Sequence, residues 1–105
     1  PYMEILTGSH AGVRWSLPVN TQVSIGRSVR LSNIVISGDL SISKEHCRLR
    51  YDEERNEFLL TDVSKNGVYV QNQRLTPNQQ YRYTPNQQIS LASSMCTILL
   101  GVADE

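Results

Sequence analysis

Nowhere does this chain keep apolar residues at positions i, i+3, i+4 and i+7 long enough to make a helix. They alternate instead, in short runs. Met3 and Ile5 form one, then Val13, Trp15 and Leu17, then Val23 and Ile25. Cys47, Leu49 and Tyr51 alternate, followed by Phe58 and Leu60, Val68 and Val70, Tyr81 and Tyr83, Ile89 and Leu91, and finally Thr97 to Val102. Gly, Pro, Asn and Ser break the runs apart. A strand turns successive side chains to opposite faces, so this period of two predicts roughly ten short strands in an all-β sandwich or barrel.

The connections carry their own signals. Thr7-Gly8-Ser9-His10-Ala11-Gly12 reads as a hairpin loop, with His10 exposed in it, and Asp52–Asn56 as a charged turn. Thr76-Pro77-Asn78-Gln79-Gln80 and Thr84-Pro85-Asn86-Gln87 are turns opened by proline. Asn66-Gly67 is the strongest two-residue hairpin signal in the chain. Ser28 to Ser43 is the longest stretch without a convincing strand. A connection of that length in a compact domain is usually functional or disordered. Ile34-Val35-Ile36 would anchor its middle, so an ordered, functional loop is expected.

The 105 residues suffice for one domain with a core of its own, and no linker divides them. Residues 1–105 are expected to be a single domain, excised from a longer protein because the chain starts at Pro1. Apolar runs such as Ile98-Leu99-Leu100 are far too short to cross a bilayer, so membrane insertion is not expected. The two cysteines, Cys47 and Cys96, are too few and too far apart for a disulfide framework or a metal cluster. They read as buried thiols in a reducing, intracellular compartment, cytoplasmic or nuclear, and no metal or cofactor is expected.

Ten basic and ten acidic residues cancel, which argues against a nucleic-acid partner. Their placement matters more than their sum. If His46–Tyr51 and Glu57–Asp62 pair as a hairpin, the acidic turn Asp52–Asn56 lies at one end. Ser41-Ile42-Ser43-Lys44-Glu45 and Val63-Ser64-Lys65-Asn66-Gly67 meet at the other, roughly 20 Å away. A strand ending at Gly26-Arg27 in the same sense would add Arg27 and Arg30. Cations, hydroxyls and an amide then gather at one pole. An arginine fork binds phosphate through two parallel hydrogen bonds, and a lysine serves beside it as a point charge.

The order Gly26-Arg27, Ser43-Lys44-Glu45-His46 and Asn66-Gly67 resembles the forkhead-associated (FHA) domain. So do Asp39 ahead of the Ser-x-x-His and Leu60-Thr61-Asp62 ahead of Ser64-Lys65-Asn66-Gly67. The resemblance covers essentially the whole chain. It implies a twisted antiparallel β-sandwich of about eleven short strands. It also implies recognition of an extended phosphothreonine peptide, the product of a Ser/Thr kinase, by loops at one end. By that resemblance Arg27, Ser43 and Lys44 contact the phosphate, Lys65 lines the phosphothreonine site, and Asn66 grips the peptide backbone. His46 braces the loops, with Gly26 and Gly67 as structural support. Family members often have Thr or Ser where Lys65 stands. Residues Val29 to Ser32, Ser41 and Gln71 to Arg74 are the positions expected to read the rest of the peptide.

Other readings of the same residues are weaker. Ser43 and His46 could pair as nucleophile and base, but nothing in the sequence orients the imidazole or supplies an oxyanion hole. Catalysis is therefore not expected. The fold could serve as a phosphate-independent interaction or structural module, although the motif residues are intact. A small nucleic-acid-binding barrel would need a basic groove with aromatic residues to stack on, which the zero net charge and single Phe do not supply.

Overall fold

Along β5 (Cys47–Asp52), Cys47, Leu49 and Tyr51 turn inward while Arg48 and Arg50 face solvent. In a computed structural model, which describes residues 1–92 and 96–103, this strand pairs with β6 (Glu57–Asp62) at the heart of a five-stranded sheet. Cys47 lies opposite Asp62 and Tyr51 opposite Phe58, so the acidic turn stands at one end of the pair. β3 (Val23–Gly26) flanks β5 antiparallel, and β9 (Gln80–Tyr83) flanks β6. The short β4 (Ile34–Val35) runs parallel to β3 at the edge.

The second sheet has six strands: β2 (Arg14–Ser16), β1 (Tyr2–Ile5), β11 (Cys96–Gly101), β10 (Gln87–Leu91), β7 (Val68–Val70) and β8 (Gln73–Arg74), in that order. All pairings other than β3 with β4 are antiparallel among these strands. The two sheets press their apolar faces together. Met3, Ile5, Val68, Ile89, Leu91, Ile98 and Leu100 come from one sheet, and Ile25, Leu49, Phe58 and Leu60 from the other, and all are essentially inaccessible. Both cysteines are free and buried. Burial penalises the thiolate, which raises Cys47 far above the ordinary range and pushes Cys96 up to about 11.

The stretch from Ser28 to Ser43 is ordered as expected, but it contains β4. Ile34 and Ile36 sink into the core and hold it there. Asn33 fixes the return of the chain: its N–H donates to the Ser24 carbonyl at 2.8 Å, and its Oδ1 accepts the Ser24 N–H at 2.8 Å.

Asn66-Gly67 is not a hairpin. The chain leaves one sheet at Asp62 and enters the other at Val68, so the pair lies on a crossing between sheets. Gly67 has a φ of 96°, whereas Asn66 keeps a negative φ, and a type I′ hairpin turn needs both positive. The Gly67 carbonyl accepts two hydrogen bonds, one from the Ala92 N–H and one from His46, and these lock the crossing. The tight turn of the second sheet is Gln71-Asn72, between β7 and β8, with φ values of 51° and 64°.

Candidate functional site

Antiparallel pairing brings the end of β3, the start of β5 and the end of β6 to one pole, because Ile25 lies opposite Cys47 and Cys47 opposite Asp62. The loops that leave these strands are tied to one another by backbone groups. The Arg27 N–H donates to the Ser43 carbonyl at 3.0 Å, and the Ser28 N–H to the Lys44 carbonyl at 3.2 Å. The Ser32 hydroxyl donates to the same Lys44 carbonyl at 2.6 Å. That carbonyl also lies against Gly26, where an added Cβ would stand 2.2 Å from its oxygen. Gly26 is therefore required for the close approach of two backbone segments, the end of β3 and the loop before β5.

His46 is fully buried and joins three segments. Its Nδ1 accepts the Ser43 N–H at 3.0 Å, and its Nε2–H donates to the Gly67 carbonyl at 2.8 Å. A backbone N–H can only donate and a carbonyl can only accept, so the ring is the neutral Nε2–H tautomer. Desolvation holds its pKa below the ordinary histidine value, and the outweighed Gly67 hydrogen bond and Asp62 and Asp39 charges pull the other way. Ser43 and His46 do not form a nucleophile–base pair: the imidazole Nδ1 accepts a hydrogen bond from the serine's backbone N–H rather than its hydroxyl, and its Nε2–H donates to Gly67.

An unfolded histidine titrates near 6.5. The native state binds the proton less readily, so the stability His46 contributes is complete above about pH 6.5 and is lost as pH falls toward its lower native value. The melting temperature is expected to drop between pH 7 and pH 5, and the His46 ring resonances to titrate below the usual range. A ring that protonates at 6.5 or above with no loss of stability would contradict this.

The outward groups are arranged on this frame. Arg27 is half-buried; its Nε–H donates to the Ile42 carbonyl at 2.8 Å, and no carboxylate lies within ion-pair distance of it among the described residues. The Ser43 Oγ accepts the Lys65 N–H at 3.0 Å. A hydroxyl that accepts in this way keeps its own proton to donate. The side chains of Lys44 and Lys65 are exposed. Asn66 is exposed as well, and its Nδ2 donates to the Ser41 carbonyl at 2.8 Å. The acids nearby are engaged by neighbouring residues, except that Asp62 Oδ2 is buried without a hydrogen-bond partner. Asp39 Oδ1 accepts from the N–H and hydroxyl of Ser41, and Asp62 Oδ1 from those of Ser64. Glu45 turns to Arg48 and Ser24, which hold its carboxyl below the usual range. None of these carboxylates forms an ion pair with Arg27, Lys44 or Lys65 among the described residues.

Several participants leave little trace in the sequence. The carbonyls of Ile42 and Lys44 act through the backbone, which residue type does not announce. Arg74 reaches across Gly67 to donate to the Lys65 carbonyl at 3.2 Å. His10 is half-buried rather than exposed, with its Nε2 hydrogen-bonded to the Ser37 carbonyl at 2.8 Å, so the first hairpin loop braces the loop after β4. Arg30 is exposed at the rim, where its N–H donates to the Ser28 hydroxyl.

The family model of the FHA domain matches residues 23–92. The E3 ubiquitin-protein ligase RNF8 of Mus musculus is 36% identical over 67 residues, which are 62% of this chain and 14% of that protein. The FHA domain of the CT664 protein from Chlamydia trachomatis superposes with a TM-score of 0.85 at 26% identity, covering 98% of this chain and 97% of its own. The N-terminal FHA domain of S. cerevisiae Rad53p, solved in complex with a phosphothreonine peptide, has a TM-score of 0.78 at 16% identity, with 98% and 93% covered.

Proposed function

The chain belongs to the FHA domain family, and from that premise we propose that it binds an extended peptide through a phosphorylated threonine at the pole described above. One observation carries the reading. The Ser43 hydroxyl, fixed by the Lys65 N–H, stands on a loop whose backbone is bonded to Arg27, and none of the cations around it has a carboxylate partner among the described residues.

A phosphate brings about −1.5 to −2 charges and three acceptor oxygens at pH 7. The terminal nitrogens of the Arg27 fork and the Ser43 O–H supply directional donors, while Lys44 and Lys65 add charge beside them. Asn66, held through Nδ2 to Ser41, has its Oδ1 for a peptide N–H. Arg27, Ser43 and Asn66 are preorganised by hydrogen bonds that exist before the ligand arrives, so little ordering of them is required on binding. An unmodified threonine offers neither the charge nor the acceptors. The complex forms and dissociates without covalent chemistry. The partner is the product of a Ser/Thr kinase, which sets the encounter inside the cell.

Titration with a phosphothreonine peptide and its unmodified twin tests the reading. Two or more charge-assisted hydrogen bonds at roughly 1.5–3 kcal/mol each predict at least a hundredfold preference for the phosphorylated form. Equal affinities would favour a phosphate-independent module instead.

A further inference from the structure

The string Thr-Pro-Asn-Gln occurs twice, at residues 76–79 and 84–87, and the pole that holds Arg27 and Ser43 uses neither. Each string places proline second and an asparagine at positive φ third, 64° at Asn78 and 73° at Asn86, the pattern of a type II turn. Both threonines are exposed. An exposed threonine followed by proline is the minimal substrate of a proline-directed Ser/Thr kinase. Such a kinase takes its substrate extended, so the turn must open. At Thr76 it opens readily: the Gln79 N–H reaches the Thr76 carbonyl at only 3.4 Å, and residues 76–80 are all exposed. The buried Leu75 anchors the chain just before them.

The fold sends the two strings to opposite ends. They bracket β9, which runs antiparallel to β6, with Gln80 opposite Thr61 and Tyr83 opposite Phe58. Thr76 therefore stands at the end where β6 delivers Lys65 and Asn66, and Thr84 at the acidic end, where Glu57 precedes Phe58. Hydrogen bonds tie the first turn to the Lys65–Asn66 loop. The Asn78 N–H donates to the Asp62 carbonyl at 2.8 Å, just before that loop, and the Leu75 N–H to the Val68 carbonyl at 2.9 Å, just after it. Arg74, two residues before Thr76, donates to the Lys65 carbonyl within it. The second turn is tied elsewhere, through the Asn86 N–H to the Leu100 carbonyl at 2.7 Å.

We propose that Thr76 is itself a phosphorylation site, and that its modification weakens capture of the phosphothreonine ligand at the adjoining pole. This inference rests on the phosphothreonine reading and adds regulation to it. In the transfer, the bond between the γ-phosphorus of ATP and the ADP oxygen breaks, a bond from that phosphorus to Thr76 Oγ1 forms, and the hydroxyl proton passes to the kinase's base. The product brings about −1.5 to −2 charges to the edge of a pole that must hold a second dianion. It repels the ligand. It also competes for Arg74, which otherwise steadies the loop bearing Lys65 and Asn66. A phosphate on Thr84 stands at the other end of β9 and does neither.

The test incubates wild-type, Thr76→Val and Thr84→Val protein with ATP and two purified proline-directed kinases, one cyclin-dependent and one mitogen-activated. Mass spectrometry maps the modified residue. Affinity for a phosphothreonine peptide and its unmodified twin is measured before and after treatment. At these exposed positions neither variant threatens folding. Treated Thr84→Val should carry phosphate on Thr76 and bind the phosphopeptide about tenfold more weakly at roughly 0.01 M ionic strength. At roughly 0.15 M the loss should shrink to about threefold, because the screening length falls from about 30 Å to about 8 Å. Treated Thr76→Val should bind as before at both. Failure of both kinases to modify Thr76, unchanged affinity once it is modified, or an equal loss in treated Thr76→Val overturns this inference alone. An untreated domain that does not distinguish phosphothreonine from threonine overturns it together with the reading beneath it.

Discussion

Replacing Arg27 by Ala is expected to abolish detectable phosphopeptide binding while the domain stays folded. The guanidinium contributes to the fold through one hydrogen bond, from Nε to the Ile42 carbonyl, at a half-buried position. Its loss costs the fold about 1 kcal/mol, and Ile42 itself remains buried by its own packing. The ligand loses far more. A dianionic phosphate at this pole would keep the Ser43 hydroxyl and exposed lysines but lose the two-pronged donor that fixes its orientation. Two charge-assisted hydrogen bonds at roughly 1.5–3 kcal/mol each predict a loss of a hundredfold or more. Calorimetry with the phosphopeptide gives the affinity, and thermal melting controls for folding. Arg27→Lys should recover only part of the affinity, because an ammonium supplies charge without the planar fork. Tight binding by Arg27→Ala would contradict the assignment.

Gly26→Ala should damage stability and binding together. The problem is space, not backbone conformation, since the φ of Gly26 is not positive. An alanine Cβ would stand 2.2 Å from the Lys44 carbonyl oxygen, 2.8 Å from its carbon and 2.6 Å from the Ser32 hydroxyl. Two of the three are backbone atoms, so no side-chain rotation relieves the clash. The β3 end must part from the loop before β5, which strains the Arg27–Ser43 and Ser28–Lys44 hydrogen bonds. Overpacking of this kind costs about 1–3 kcal/mol, which in a domain of this size lowers the melting temperature by about 10 °C. The same shift moves Arg27 relative to Ser43, so phosphopeptide affinity should fall at least tenfold even below the melting transition. An alanine variant with wild-type melting and affinity would show that the contact is slack.

Much of the fold was legible from alternation alone. Cys47, Leu49 and Tyr51 point inward because a strand with one buried face must place them so, and the pairing with Phe58 and Leu60 follows from a short charged turn. The polar segregation came from the same reasoning, since antiparallel strands return every second connection to one end. Local signals failed where tertiary demands outweighed them. Asn66-Gly67 reads as a hairpin, yet the chain needs Gly67 to cross between sheets, with its carbonyl bonded by both His46 and Ala92. The real type I′ position falls on Gln71-Asn72, where a glutamine at positive φ gives no warning. At the site, residue type pointed to Arg27, Ser43 and His46, but backbone acceptors such as the Ile42 and Lys44 carbonyls carry no such mark. Nor does sequence reveal that Gly26 is small because the Lys44 backbone of the same chain passes over it.

The most direct test of the phosphate-reading pole is an NMR titration of the isotope-labelled domain with a phosphothreonine peptide and with its unmodified twin. The phosphorylated peptide should shift the amides of Arg27, Ser43, Lys44, Lys65 and Asn66 and leave those of Glu53 to Asn56, at the acidic end, in place; the twin should shift neither group. Matching shifts from the two peptides, or shifts centred away from the loops after β3, before β5 and after β6, would contradict the account.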